Sequence, residues 1–594
     1  MQQRRIASLL LITILGVVGL CVRLFDISIL QHSTYVALAA QQQHVERDVL
    51  PRRGQVIVQD AAAGTTTVVA KSVESYALSA TPKFVVHKAD YAHLLAQASG
   101  MDEQLVLSRL QASSGYMPPL KHGMTKADVE DLVQKVNDLE KAYNPHFVAH
   151  QLNFDTSQGS ILYFVGGVFF VREYRRVYPE GALLSQVLGF VNSTGQGQYG
   201  FEEQYNQQLE GYSGKLFLEQ DSRGNLLQQS GAISGQNGED FELSIDRNIQ
   251  YEVEQKLQQE VQSSESHGGA VIVMDPKNGE IIAMASNPSY DPSNYRAVPS
   301  DQQNIFANPA ISGAYEPGSI MKPINMAGAI DEGLVTPDTS STFAATVNVD
   351  GHEIHTALNK AYGTETMTDV LANSDNVAMV WVTDKMGNQN VHDNLAKFGF
   401  GSMTGIDVKG ETEGILPPLK GWRNINRATI SFGQGISVTP LQVVSAYATI
   451  ANGGTTVTPH VVRAAIDPNG TRHVPQYVVG HSVVKSDTAK QILGMMVATV
   501  NQAHRRAGTN GYLVAGKTGT AQVPDASGGY LDTTYNHSFV GIVPADNPKY
   551  VVLVVLDQPN IAKVGNFAES TAVPLFKSID DFLINYYQIP PSGH

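Results

Sequence analysis

The chain has a single cysteine, Cys21, among its 594 residues. No disulfide can therefore form within the chain, and neither a Cys-x-x-Cys redox pair nor a cysteine-based zinc site is possible. A chain of this length can bury enough apolar surface to do without disulfides. The scarcity of thiols is compatible with an oxidising exterior, although it does not establish one.

Charged residues are also scarce, at 16% of the chain, whereas hydrophobic residues make up 42%. This balance argues against long disordered tracts and favours several folded units. The formal net charge is -15. Since nucleic-acid binding needs clustered Lys and Arg, the composition predicts no nucleic-acid partner.

Long hydrophobic runs are missing except at the N-terminus. Arg4 and Arg5 precede an apolar run from Ile6 to Val22, and mostly apolar residues continue to Leu30. The sequence predicts a membrane anchor over residues 6–30, with residues 1–5 in the cytoplasm and the remainder outside. The alternative is a cleaved signal peptide, but no A-x-A-like site follows the run.

The remaining sequence divides at a cluster of turn residues, SGAISGQNGED, at 230–240. Residues 31–238 have a mixed α/β pattern, which includes a polar helix from 31 to about 50 and a charged helix over 125–143. Residues 239–590 begin and end with strand patterns around a helix-rich middle. This order predicts an α+β domain, in which an antiparallel sheet built from both ends carries a helical layer.

The first motif with chemical meaning is EPGSIMKP, which contains Ser319 and Lys322. Residues three apart share one face of a helix, so the Lys322 amine can reach the Ser319 hydroxyl. Lysine can act as a base for serine if burial or a nearby positive charge lowers its pKa. Free N–H groups at a helix start also suit an oxyanion.

The second motif is NSDN, which contains Ser374 and Asn376. The Ser374 hydroxyl can relay a proton. The Asn376 amide can donate to a substrate carbonyl and accept from a lysine.

The third motif is AGKTGTAQ, in a strand context. Gly519 allows a substrate backbone to approach this strand closely. Lys517 and the hydroxyls of Thr518 and Thr520 can hold a carboxylate.

Each motif alone is weak evidence for a function. In this order, however, S-x-x-K, S-D-N and K-T-G are the signature of penicillin-binding proteins and class A β-lactamases. The chain resembles a class B penicillin-binding protein, the monofunctional transpeptidase type. The similarity covers most of the chain and is weakest between residues 72 and 160. Further segments that carry it are GGAVIVMDPKNGEIIAMAS, SFGQGISVTPLQ, HSFVGIVPADNPKY, PRRGQVIVQD and GQYGFEEQYNQQLEGYSGK.

The resemblance implies a penicillin-binding transpeptidase domain at 239–590 on a dimerisation or pedestal domain at 31–238. It implies a serine-type D-Ala-D-Ala transpeptidase that needs no cofactor or metal. In this reading Ser319 is the acylated nucleophile, Lys322 is the base, and Ser374 and Asn376 move the proton and position the substrate. The substrate carboxylate binds Lys517, Thr518 and Thr520 beside Gly519, and the N–H groups of Ser319 and Thr520 form the oxyanion hole.

The implied partners are peptidoglycan stem peptides on lipid-linked or nascent glycan, and β-lactams as covalent inhibitors. They also include a multi-pass membrane glycan polymerase with divisome or elongasome proteins. The compact pedestal favours septal division over side-wall elongation. A membrane-anchored β-lactamase or β-lactam sensor, a scaffold without activity and a bifunctional synthase are alternatives. The retained motifs, the pedestal and the short stretch before the anchor argue against them.

The chain differs from many members of the family at three places. Asp375 stands in the second motif where many have a serine or another residue, Ile320 stands beside the nucleophile, and QDAAAG at 59–64 replaces an Asp-Arg-x-Gly turn. Several other residues are expected to have no role in catalysis. His352 and His355 have no third ligand nearby and are expected at the surface. Glu411 and Glu413 lack the setting of a β-lactamase general base. His504 and His537 belong to no motif.

Overall fold

The computed structural model describes residues 2–35, 44–112, 117–147, 164–220, 226–478, 480–525 and 527–592. They form two compact units, whose segments alternate along the sequence. The first comprises Met1–Arg53, Ser72–Arg175 and Glu210–Gly238, and the second comprises Gly54–Lys71, Arg176–Leu209 and Glu239–His594.

Two segments within the predicted pedestal, residues 31–238, are grouped with the second unit. Gly54–Lys71 belongs there because Val56–Asp60 pairs in parallel with Asp240–Asp246. Arg176–Leu209 contributes buried side chains such as Leu188 and Phe201 to the core of that unit. Pairing between segments far apart in sequence leaves no local signal along the chain.

The N-terminus is an α-helix, Gln2–Phe25, followed by a π-helical turn, Asp26–Leu30. The stretch Arg5–Leu30 is long and apolar enough to cross a membrane. Its apolar side chains are exposed, as Leu9 and Ile12 illustrate at 66% each. An apolar surface of this kind suits a membrane anchor.

The first unit contains a three-stranded antiparallel sheet in which His44–Val49 pairs with Gly214–Gln220, and the latter with Leu226–Ile233. The prediction of a helix from 31 to about 50 is therefore wrong for its last residues. His44–Val49 pairs along its whole length with its neighbour, and tertiary pairing of this kind overrides a weak helical preference.

The remainder of the first unit packs three helices against strands around a core that includes Tyr91, Leu132 and Phe170. The predicted helix over 125–143 is confirmed, because Thr125 and Asp128 form a reciprocal capping box at its start. The helices are Lys88–Ser99, Glu103–Gln111 and Lys126–Tyr143, and the strands are Thr65–Ala80 from Ser72 on, Lys121–Met124, Phe164–Val165 and Val168–Val177.

The second unit is organised around a five-stranded antiparallel sheet, and this confirms the prediction of a sheet built from both ends of the domain. The sheet is apolar on both faces. Ile272 and Leu553 face one core cluster, whereas Val271 and Val552 face the other, as the two-residue period of a strand requires. In spatial order the strands are Ile281–Asn287, Gly268–Met274, Tyr550–Asp557, Tyr530–Val543 and Ala515–Pro524.

Helices cover both faces of this sheet. Two of them, Arg247–Ser264 and Ala572–Tyr586, contribute to one core cluster, and the Asp246 side chain caps the first. The other cluster contains the helical layer that positions the candidate site. Its helices are Lys322–Asp331, Met367–Asn373, Asn376–Lys397, Asn424–Ile430, Pro440–Ala451 and Ser486–Ala503.

The helix-rich middle also contains two small hairpins that the sequence analysis did not predict. Ser340–Phe343 pairs with Gly363–Thr366, and Thr346–Val349 pairs with His352–His355. The other strands of this unit are Val56–Asp60, Phe190–Val191, Gly197–Gln198, Asp240–Asp246, Val462–Ile466 and Arg472–His473, and the short helices include Ser185–Leu188, Gly200–Gln204, Asn206–Glu210, Pro309–Ser312 and Ile561–Val564.

Candidate active site

Ser319 lies in a single 3-10 turn, Gly318–Met321, that leads directly into the helix Lys322–Asp331. Pro323 occupies the first turn of that helix, where its missing N–H costs nothing. Gly318 has a left-handed φ of 61°, and its N–H donates to the carbonyl of Gly433 at 3.1 Å. A Cβ on Gly433 would stand 2.1 Å from the Gly318 carbonyl oxygen, so the two backbones need glycine to meet.

Lys322 is fully buried, with no exposed side-chain surface. Its Nζ donates to the backbone oxygen of Ser374 at 2.6 Å, to the hydroxyl of Ser374 at 3.1 Å, and to Oδ1 of Asn376 at 2.7 Å. An ammonium would donate in all three contacts, whereas a neutral amine would donate to the two carbonyl oxygens and accept from the Ser374 hydroxyl. The first two sequence motifs therefore meet at this amine.

Burial holds the pKa of Lys322 well below its ordinary value, and the positive charge of Lys517 lowers it further. The carboxyls of Asp375 and Glu365 oppose this effect. A lysine whose charged form is destabilised in this way is a candidate base for a serine hydroxyl. The two causes that the sequence analysis named, desolvation and nearby positive charge, both act here.

Ser374 ends the helix Met367–Asn373 in a left-handed conformation, with φ of 55°. This turn points its backbone oxygen and its hydroxyl at Lys322. Asp375 then caps the helix Asn376–Lys397, because its Oδ1 accepts from the N–H of Ala378 at 2.9 Å. The amide of Asn376 is fixed at both ends, since its Nδ2 donates to the His355 carbonyl at 2.9 Å.

Two buried carboxyl groups, Glu365 and Asp375, influence this amine. Asn373 donates to Oε1 of Glu365 at 2.8 Å. Burial raises the pKa of Glu365 to about 7, and the neighbouring Asp375 raises it as well. The pair therefore carries less than two negative charges near neutral pH. This limits how much the two carboxyls can raise the pKa of Lys322.

Lys517 lies on the edge strand Ala515–Pro524 and is also fully buried. Its Nζ donates to the Ser374 hydroxyl at 3.1 Å, so both lysines converge on one oxygen. Burial lowers the pKa of Lys517 to about 7, against the opposing charge of Glu569. A Cβ on Gly519 would stand 2.8 Å from the Pro317 carbonyl oxygen, so glycine lets this strand pass close to the Ser319 turn.

The threonines of the third motif have partners of their own. Thr520 Oγ1 accepts from the N–H of Ala568 at 3.3 Å. Thr518 Oγ1 lies 3.2 Å from Nε2 of His504, and Nδ1 of His504 lies 2.7 Å from Oε2 of Glu569. Neither His504 nor Glu569 belongs to a sequence motif. No local pattern links residues 504, 518 and 569, so only the fold brings them together.

The other candidate residues have structural explanations. Glu411 accepts from the N–H and hydroxyl of Thr404, both at 2.6 Å, and so stabilises a loop. Glu413 is exposed. His352 and His355 are exposed at the ends of one short strand. Within the described ranges, no group of three or more His, Cys, Asp or Glu residues is placed to hold a metal ion.

Taken together, the three motifs form one polar cluster: a half-buried serine one helical turn from a buried lysine, a serine hydroxyl bridging two lysines, and a strand edge with hydroxyls. Such a cluster can activate a hydroxyl, relay its proton and hold an anion. This is the chemistry of acyl transfer through a serine ester.

Comparison with known proteins agrees with the chemistry of this site. Residues 269–580 match the penicillin binding protein transpeptidase domain, and residues 48–243 match the penicillin-binding protein dimerisation domain. The chain is 32% identical over 432 residues to penicillin-binding protein PbpB of Mycolicibacterium smegmatis, across 71% of this chain and 66% of the relative, just under two thirds of its length. It is 29% identical over 449 residues to peptidoglycan D,D-transpeptidase FtsI of Escherichia coli, across 75% of this chain and 73% of the relative.

A crystal structure of a peptidoglycan synthetase from Bifidobacterium adolescentis superposes with a TM-score of 0.71 at 28% identity, across 93% of this chain and 98% of that chain. The transpeptidase match alone spans more than half of the sequence. The chain belongs to the class B penicillin-binding proteins.

Proposed function

We propose that this protein is a peptidoglycan D,D-transpeptidase that cross-links stem peptides through an acyl-enzyme on Ser319. The observation that carries the proposal is the buried Lys322, one helical turn from Ser319, with its pKa held well below the ordinary value. A neutral amine at this position can take the hydroxyl proton of Ser319 without a histidine.

In the acylation step, Ser319 Oγ attacks the carbonyl carbon of the penultimate D-alanine of a donor stem. Lys322 accepts the hydroxyl proton, the C–O ester bond forms, and the peptide C–N bond breaks. The leaving amine of the terminal D-alanine needs one proton. The Ser374 hydroxyl can deliver it from Lys322, since that oxygen lies 3.1 Å from both lysine amines.

In the second step, the amine of another stem attacks the ester and releases Ser319. The proton transfers occur in the reverse order: the attacking amine loses a proton, and the Ser319 oxygen regains one. The N–H groups of Ser319 and Thr520 would stabilise the oxyanion in both steps. Asn376, held between Lys322 and the His355 carbonyl, would position the donor peptide.

The terminal carboxylate of the donor would bind at Lys517, Thr518 and Thr520. Lys517 supplies positive charge at the strand edge, and Gly519 leaves room for an extended peptide beside it. A β-lactam presents a reactive amide and a carboxylate with the same spacing, so it would acylate Ser319 as a covalent inhibitor.

The cellular setting belongs to the same proposal. The N-terminal helix would anchor the protein with residues 1–5 in the cytoplasm and both folded units outside, because Arg4 and Arg5 precede the apolar run. A multi-pass glycan polymerase would supply the nascent glycan. The likeness to PbpB and FtsI favours a place among division proteins over side-wall elongation.

Transpeptidation by the full chain in membranes tests the function. Vesicles carrying the chain and a glycan polymerase receive lipid-linked stem pentapeptide. We expect release of D-alanine together with cross-linked stem dimers, both lost in Ser319→Ala and both kept in Ser340→Ala, which removes an exposed hydroxyl. D-alanine release without dimers would instead identify a carboxypeptidase, and equal products from Ser319→Ala would refute the proposal.

A further inference from the structure

Behind the third motif lies a histidine–carboxylate pair that the proposed mechanism does not use. His504 directly follows the helix Ser486–Ala503, and Glu569 lies in the 3-10 turn Ala568–Ser570. The imidazole is only 12% exposed, and the Glu569 side chain is 34% exposed. The ring meets Phe539 edge-on, with centroids 6.4 Å apart, so an apolar side chain covers part of it.

The two contacts of the imidazole determine where its protons lie. Nδ1 is 2.7 Å from Oε2 of Glu569, and an ionised carboxylate only accepts, so Nδ1 carries a proton. When His504 is neutral, Nε2 is therefore an acceptor. The Thr518 hydroxyl, 3.2 Å away, then donates to Nε2, and its proton points away from the place proposed for the substrate carboxylate.

We propose that His504 and Glu569 are positioning residues that couple binding of the substrate carboxylate at Thr518 to uptake of one proton at Nε2 of His504. The inference rests on the proposed function. When the carboxylate arrives, Nε2 takes a proton from solvent and donates it in a hydrogen bond to Thr518 Oγ1. The hydroxyl proton of Thr518 then turns to the carboxylate. One anion enters and one proton is gained, so the local charge is conserved.

The charges around His504 are consistent with this coupling. Burial lowers the pKa of His504, the charge of Lys517 on the adjacent strand lowers it too, and Glu569 raises it. Arg505 and Arg506 follow in the chain and are exposed. The free protein therefore holds a neutral imidazole near neutral pH, and an arriving carboxylate favours the protonated form.

Glu569 has a separate, testable part in this arrangement. Its carboxylate fixes the Nδ1–H form of the neutral ring and stabilises the protonated ring. Glu569→Gln removes the charge while keeping an acceptor oxygen. It should shift the titration of His504 to lower pH, so proton uptake on binding should need a more acidic solution.

The test compares two probes that differ only in the carboxylate: benzylpenicillin and its methyl ester. The full chain in detergent is acylated by each between about pH 5.5 and about pH 8.5, where histidine titrates, and the second-order rate constant is measured. With benzylpenicillin, His504→Gln should lower the rate constant about tenfold at the acidic end and flatten its pH dependence. With the ester, His504→Gln should match the unmodified chain.

The matched control is His93→Gln. His93 makes the same kind of pair, with Nδ1 2.8 Å from Oε2 of Glu103, in the first unit at an exposed position. That variant should leave both probes unchanged. An equal loss with both probes in His504→Gln would identify a merely structural role and overturn the inference, as would an unchanged pH profile with benzylpenicillin. Failure of the unmodified chain to react with either probe would overturn the proposed function itself.

Discussion

Replacing Lys517 with methionine should stabilise the protein while abolishing its activity. The Lys517 side chain is fully buried, and burial lowers its pKa from 10.5 to about 7. A methionine has similar length and flexibility but no charge to desolvate. Lys517→Met therefore removes a destabilising buried ammonium together with the group proposed to bind the substrate carboxylate.

The size of the gain follows from the two pKa values. A fall from 10.5 to about 7 corresponds to roughly 5 kcal/mol of destabilisation of the charged form. The hydrogen bonds from Nζ to Ser374 Oγ at 3.1 Å and, more weakly, to Thr518 are lost, which costs about 1–2 kcal/mol. We expect a net gain of about 3 kcal/mol in the free energy of unfolding at or below pH 7.

The gain should depend on pH with a definite sign. Between about pH 7 and pH 10.5 the unfolded chain holds the Lys517 proton and the folded chain does not, so the unmodified protein becomes more stable as pH rises. The advantage of Lys517→Met should therefore shrink by about 1.4 kcal/mol per pH unit across this window, vanish near about pH 9 and become a deficit of about 1–2 kcal/mol near the upper end, where only the lost hydrogen bonds remain.

Urea unfolding of both proteins at several pH values, with Lys490→Met as an exposed control on the helix Ser486–Ala503, measures this difference. We expect no change from Lys490→Met. A Lys517→Met protein that is less stable at neutral pH, or a stability difference independent of pH, would refute the view that this lysine is a desolvated ammonium.

Three further predictions concern other parts of the second unit. Arg176→Met should cost about 3–5 kcal/mol of stability in urea unfolding, because it removes the guanidinium that lies 2.6 Å from the fully buried Glu202 carboxylate. Arg472→Met, in the more exposed pair with Glu242, should cost under about 1 kcal/mol. Gly433→Ala should lower the free energy of unfolding by over about 2 kcal/mol and slow penicillin acylation, because its Cβ would clash with the Gly318 carbonyl beside Ser319. The control Gly470→Ala has a similar positive φ but open space around its Cβ, so it should leave acylation unchanged. Glu365→Gln removes a negative charge that raises the pKa of Lys322, so the acylation rate should begin to increase at a lower pH than in the unmodified chain. An increase that begins at the same or a higher pH would contradict this.

Much of the second unit could be predicted from the sequence. Strand patterns at both ends of the domain are strong local signals, and pairing them gives the antiparallel sheet with its apolar faces. The motif residues could also be selected in advance, since S-x-x-K, S-D-N and K-T-G are recognisable pieces of chemistry. The structure places Lys322, Ser374, Asn376 and Lys517 in one hydrogen-bonded cluster.

The features that escaped prediction depend on contacts between distant segments. The strand His44–Val49 forms only because Gly214–Gln220 lies beside it. The partners of Thr518 come from residues 504 and 569, which no motif contains. Burial and the neighbouring Asp375, ten residues further along the chain, both raise the pKa of Glu365. Hydrophobic periodicity and residue spacing reflect only neighbours along the chain. Contacts between distant segments cannot be predicted from them.

The most direct test of the account is the site and lifetime of a penicillin adduct. The full chain is mixed with benzylpenicillin, and intact mass over time is followed by mapping of the modified peptide. We predict a long-lived adduct on Ser319 that is absent from Ser319→Ala and forms far more slowly in Lys322→Ala. An adduct that persists in Ser319→Ala, or one on Ser319 that clears within seconds as in a β-lactamase, would contradict the account.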